Sequence, residues 1–143
     1  MNSIKKYLFL LFKNKFLILR IIILSAFFRF IIFFLPFKFT KKFLGKEKCE
    51  TSYKSRKEDY KESKRISKLV YKVNEIVPWE SKCLVTALVI KQLLKEKKIE
   101  STIYLGVYKN KNSMEAHAWL RVGSHIISGK EEKDKFIEVA KFV

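Results

Sequence analysis

Cysteine, histidine, proline and glycine are all scarce in this chain, and each shortage removes a class of explanation. The two cysteines, Cys49 and Cys83, could in principle make one zinc site with the two histidines, but they show no metal-ligand spacing and no C-x-x-C pairing, so no metal is expected. Two cysteines so differently placed imply no disulfide framework, which fits a reducing, cytoplasmic compartment. The four glycines are scattered, so no phosphate-cradling loop exists and no nucleotide cofactor is expected. The two prolines, Pro36 and Pro78, serve as punctuation: each closes an apolar or amphipathic run. Acidic residues are few, 14 Asp+Glu against 31 Lys+Arg, for a formal charge of +17.

What the chain does have is distributed unevenly. Residues 1–48 hold 11 basic residues and 1 acidic residue, and they are also the most apolar part of the sequence. That pairing suits an anionic membrane surface or an acidic partner. No nucleic-acid recognition motif or aromatic platform is interleaved with the basic residues, so nucleic acid is not an expected partner. The apolar run continues to Phe39 with no small-residue cleavage site, unlike a secretory signal. FLILRIIILSAFFRFIIFFLPF (16–37) is long enough to span a bilayer. Arg20 and Arg29 stand against that: nine positions apart, they point to opposite sides of a helix, so one polar stripe cannot shelter both. The segment therefore reads as a buried or surface-lying helix, or a helix pair, with membrane association through residues 1–48 left open.

Three regions follow: the apolar, basic helical region 1–48, a helix with its connector over 49–77, and a core over 78–143. The periodicity predicts a helix across 52–77, with Ile66, Leu69, Val70, Val73, Ile76 and Val77 on one face. PWESKCLVTALVIKQLL (78–94) predicts another, with Ser81 as N-cap and Cys83 in the first turn. The period then changes to two: strands are expected over 101–109, 115–122, 125–128 and 136–143, with Gly123-Ser124 as a hairpin turn. The fold class is α+β, N-terminal helices followed by a small antiparallel sheet.

Cys83 is the chemically interesting residue. A thiol attacks as thiolate, and unpaired amides at a helix N-terminus favour that charge and can also hold an oxyanion. A histidine on a strand packed against the helix could act as general base and acid. In the predicted hairpin Val122 pairs with His125 and Leu120 with Ile127, so His117 and His125 face opposite sides of the sheet and at most one meets the helix. A lone cysteine on an amphipathic helix is otherwise a core residue. Trp79 and Trp119 are candidates to frame a cleft, and Trp119 serves equally as core packing.

The words KCLVTALVIKQLLKEKKIESTIYLGVYKN and EAHAWLRVG resemble the core of the transglutaminase-like leader peptidases that mature lasso peptides. Cys-Leu at 83–84, Leu-Leu at 93–94, the Gly-Val strand at 105–107 and Ala-His-Ala-Trp at 116–119 carry the similarity in order and spacing. The resemblance implies a transglutaminase-like or papain-like cysteine peptidase core, the stand-alone peptidase half of a split maturation protein. It implies Cys83 as nucleophile and His117 as general base/acid, with no metal and no cofactor. It further implies a precursor-peptide leader as substrate, a separate leader-recognition protein, and an ATP-dependent cyclase acting on the released core. The family's third member is an acid about a dozen positions after the histidine, but this chain reads Ser128, Gly129, Lys130 there. Ser128, a backbone carbonyl, or an acid from EEKD (131–134) could substitute. The missing acid also leaves open a non-catalytic, membrane-associated binding protein of the same fold.

Overall fold

The computed structural model of the chain describes residues 2–131 and 133–143, with backbone alone at Tyr7. Five helices precede the sheet: α1 (Ser3–Lys13), α2 (Lys15–Phe34), α3 (Phe37–Leu44), α4 (Lys57–Ile76) and α5 (Cys83–Glu96). Four strands follow, β1 (Thr102–Lys109), β2 (Met114–Val122), β3 (His125–Ser128) and β4 (Ile137–Phe142), in the order β3-β2-β1-β4 with every neighbour antiparallel. The expected α+β arrangement is the one observed. Segment 16–37 is one helix, α2, up to Phe34, and the N-terminal run around it breaks at Asn14, whose side-chain amide donates to the Leu10 carbonyl, and again at Pro36.

α5 is the centre of the molecule. Val85, Leu88, Val89, Leu93 and Leu94 are buried, and the helix is flanked by α2, α4 and β2. β2 turns Ala118, Leu120 and Val122 into this core, joined by Ile103 of β1 and Ile21 and Phe28 of α2. Alternation places Trp119 and Arg121 on the other side of the strand, where Trp119 stacks on Tyr104 at a centroid distance of 5.7 Å.

The predicted helix 52–77 starts five residues late, and Arg121 supplies the reason. Its guanidinium is 3% exposed, donates to the carbonyls of Thr51 and Ser52 at 2.9 and 3.3 Å and to Tyr104 Oη at 2.9 Å, and stacks on Tyr53 at 3.8 Å. Residues 51–53 are thereby held against the back of the sheet outside any helix, and the helix begins only after them. Burial pushes the Tyr104 phenol up to about 12, so it stays a donor to Glu50, whose carboxylate lies at 2.9 Å.

One partly buried cation works against the fold. Lys91 of α5 lies in a cavity of about 460 Å³ with Lys42, Lys95 and Lys98, and donates to the Ser101 carbonyl at 3.1 Å. Burial, helped by the charge of Lys95, lowers its pKa from 10.5 to about 8. The unfolded chain therefore binds more protons between those two values, and stability rises with pH across that window. Lys91→Met is expected to stabilise the protein at pH 7 by about 1 kcal/mol once the lost Ser101 bond is discounted. The advantage over the parent should shrink as pH climbs through the same window, as urea titrations at several pH values would show.

Candidate active site

Cys83 is the first residue of α5, so its N–H has no partner within the helix. Ser81 does not cap it: the N-cap position is Lys82, and no side chain accepts from the first turn. The Ser81 hydroxyl instead lies 3.3 Å from Ser25 Oγ of α2, which also accepts from Trp79 Nε1 at 3.0 Å. The helix entrance is thus pinned to α2 through two hydroxyls and an indole, while the amides at the start of α5 stay available.

Cys83 and His117 line one cleft of about 850 Å³, together with Tyr71 and Asn74 of α4, Thr86 of α5, and Ser128 and Gly129 at the end of β3. His125 is not among its lining residues; its ring stacks on Tyr60 of α4 at 3.9 Å. The two histidines therefore part company, and it is His117 that shares a cleft with the cysteine.

His117 is held on three sides. Its ring centroid is 6.0 Å from Trp119 and 5.0 Å from Phe136, and its Nε2 lies 2.8 Å from the Gly129 carbonyl oxygen. A carbonyl can only accept, so Nε2 carries the proton, and the neutral ring then keeps its lone pair on Nδ1. Gly106 pairs with His117 across β1 and β2, and a Cβ there would come within 2.7 Å of the Trp119 ring. A glycine opposite the histidine lets the indole pack beside it.

Gly129 is fixed from both ends. Its N–H donates to Tyr71 Oη at 3.3 Å while its carbonyl accepts from His117. Its φ is +72°, and a Cβ would stand 2.4 Å from the Ala118 carbonyl. The register explains how it arrives. The hairpin begins as expected with Val122 opposite His125, but a bulge follows: Arg121 pairs with Ile126, and Leu120 with Ser128 rather than with Ile127. The extra residue holds the chain one position back along β2, which sets Gly129 beside Trp119 with its carbonyl within reach of His117.

Ser128 is therefore not the group on His117 Nε2. It is buried, and its Oγ is the one buried side-chain polar atom among the described residues without a hydrogen-bond partner. Of the acids at 131–134, Glu131 lines the cleft, Asp134 is exposed beside Lys133, and Glu132 lies outside the described residues. Neither Trp79 nor Trp119 lines the cleft: Trp79 is tied to α2, and Trp119 backs the histidine from within the sheet's far layer. Tyr71 and Asn74 were not foreseen. Both sit off the apolar stripe of α4 amid lysines and glutamates, where nothing in the spacing marks them. Asn74 Nδ2 donates to Thr86 Oγ1 at 2.9 Å, which joins α4 to α5 along the cleft wall. No group of His, Cys, Asp and Glu suited to a metal ion occurs among the described residues.

The arrangement places a free thiol, an imidazole of defined tautomer and unpaired helix amides around one opening. That set can form and resolve an acyl-thioester. A family model described as the Transglutaminase-like superfamily matches residues 34–141, which contain α3 to β4 almost entire. No curated protein and no solved structure matches the chain.

Proposed function

The chain belongs to the transglutaminase-like superfamily, which includes cysteine peptidases, and from that premise we propose that it is a cysteine peptidase removing the leader of a ribosomally made precursor, as in lasso-peptide maturation. The observation that carries the reading is the shared cleft of Cys83 and His117, with His117 Nε2 engaged by Gly129 and Nδ1 left as the basic nitrogen. The leader substrate is supported by the resemblance of residues 83–94 and 115–123 to those peptidases.

In the first step His117 Nδ1 takes the Cys83 proton and the thiolate adds to the scissile carbonyl. The Cys83 N–H, unpaired within α5, donates to the resulting oxyanion. The C–N bond breaks as Nδ1–H protonates the leaving amine. Water then attacks the thioester, giving its proton to Nδ1, and the acid product leaves with the thiol restored. The Gly129 carbonyl stabilises the imidazolium through Nε2–H, the part an acidic side chain usually plays. His117 is bonded to Gly129 and not to Cys83, whose thiol is free. Bonds of that kind commonly tighten only with substrate in place.

The reading extends to partners: a separate recognition protein presents the leader, and an ATP-dependent cyclase takes the core. The test is incubation of the purified chain with a precursor peptide, with and without the recognition protein, followed by mass spectrometry. One hydrolytic cut at the leader boundary, blocked by prior alkylation of Cys83, is the expected result. A precursor left intact in the presence of that partner, while bound, would instead make the chain a non-catalytic binding protein.

A further inference from the structure

α2 divides lengthwise into three sectors. Ile21, Ser25, Phe28 and Ile31 form the seam buried against the molecule. Opposite them, Phe16, Leu19, Ile23, Phe27, Phe30 and Phe34 stand between 44% and 78% exposed. Arg20 and Arg29 mark the two borders, half a turn apart, and each reaches back to the protein, to the Glu96 carboxylate and the Glu80 carbonyl. The arginines that argue against a span thus fence an apolar strip in place. α3 extends it: Phe43 meets Phe27 edge-on at 5.5 Å, and Phe37 is 53% exposed. Ile4, Phe9 and Phe12 of α1 are open as well.

We propose that this face is a membrane-docking surface, on which α2 lies in the plane of an anionic bilayer with its phenylalanines among the lipid chains. Charge selects the occupant. Residues 1–48 carry 11 basic residues against 1 acidic, and Lys5, Lys6, Lys13, Lys15, Lys38, Lys41 and Lys42 all belong to the three helices. A strip of aromatic and aliphatic side chains bordered by lysines matches an anionic interface. A second copy would bring the same cationic surface against itself, and protein interfaces are depleted of lysine.

α2 is long and apolar enough to cross a bilayer, but its seam is occupied by α4 and α5 along its length, and α4 is rich in lysine and glutamate. Insertion end-on would carry those charges into hydrocarbon or strip Ile21 and Phe28 from the core. Lying flat keeps every contact. It also sets the cleft close to the membrane: Ser81, two residues before Cys83, touches Ser25 on the inner side of α2, so about one helix diameter, roughly 10–12 Å, lies between. The inference rests on exposure and charge alone and does not depend on the peptidase reading.

The test uses the full chain with sedimentable vesicles of phosphatidylcholine, with or without phosphatidylserine. Binding at least about tenfold tighter to the anionic vesicles, weakening as salt rises, is expected. The double variant Leu19→Glu, Phe30→Glu should lose at least about tenfold in binding with its circular dichroism unchanged. Spin labels at Phe16→Cys and at Phe34→Cys, each alone in a Cys49→Ser, Cys83→Ser background, then report depth. Matching shallow depths support docking in the plane; a difference approaching about 27 Å, the rise of 18 helical residues, would mean a span and overturn it. Equal affinity for both vesicles, or failure to bind with a dimer that the double variant dissociates, would also overturn it.

Discussion

Cys83→Ala is expected to reduce leader cleavage by at least about 10⁴-fold, to the limit of detection in a mass-spectrometric assay, with precursor binding within a few-fold of the parent. The argument is one of chemistry rather than packing. Cys83 is only partly buried at the first position of α5, and the core around it is built from Val85, Leu88 and Val89, so removing its sulfur opens no large cavity. The thermal midpoint should hardly move. Cys83→Ser belongs beside it: the hydroxyl keeps the volume but holds its proton far more tightly than a thiol, and His117 has no carboxylate behind it to compensate. It should be nearly as inactive. Retained cleavage in either variant would transfer the chemistry away from this cysteine and end the peptidase proposal. Cys49→Ala is the control, since Cys49 lies in the connector and does not line the cleft.

Gly129→Ala should lower kcat by about 10²–10⁴-fold while leaving KM within a few-fold. Two effects converge there. The φ of +72° is unfavourable for any L side chain, and the new Cβ would press on the Ala118 carbonyl at 2.4 Å. The chain must shift at the point where its own carbonyl meets His117 Nε2, so the ring loses the partner that fixes its tautomer. Folding stability should fall by about 1–3 kcal/mol as well. The kinetic loss must therefore be read well below the melting temperature, and the pH–rate profile separates the two effects. A ring released from Gly129 shifts the acidic limb of kcat, where the base must be neutral; a merely looser fold lowers the profile uniformly. Ser128→Ala should stay within about tenfold of the parent in kcat, because its hydroxyl hydrogen-bonds neither His117 nor any other described group. A collapse of activity there with Gly129→Ala near normal would return the third place to Ser128.

Much of this site can be read from residues alone. Cys83 at a helix start, His117 in a strand of the opposite sense to His125, and the Gly123-Ser124 turn all follow from local patterns of spacing and alternation. Local patterns do not report what is decided across the molecule. The late start of α4 depends on Arg121, some 65 residues away in sequence, holding Thr51 and Ser52 by their carbonyls. Ser81 looks like a cap because it precedes an apolar stripe, yet α2 claims its hydroxyl. The acid missing after His117 looks like a defect, because a backbone carbonyl has no letter of its own. Trp79 and Trp119 attract attention as large aromatics near the key residues, but a ring's neighbours depend on which layer it joins. Tyr71 joins the site by accepting a hydrogen bond at its Oη from the Gly129 amide, a bond that no spacing rule foresees.

The bulge between β2 and β3 has a consequence for how this protein tolerates change in length. Deleting Ile127 would remove the surplus residue and give the hairpin an unbroken ladder, which by itself favours the sheet. The same deletion would leave Ser128 opposite Leu120 and so keep Gly129 in its place beside Trp119 and His117. The regular hairpin and the working cleft thus share one register, so a one-residue shortening inside the bulge is a change the site should survive, as cleavage by the deletion variant would show.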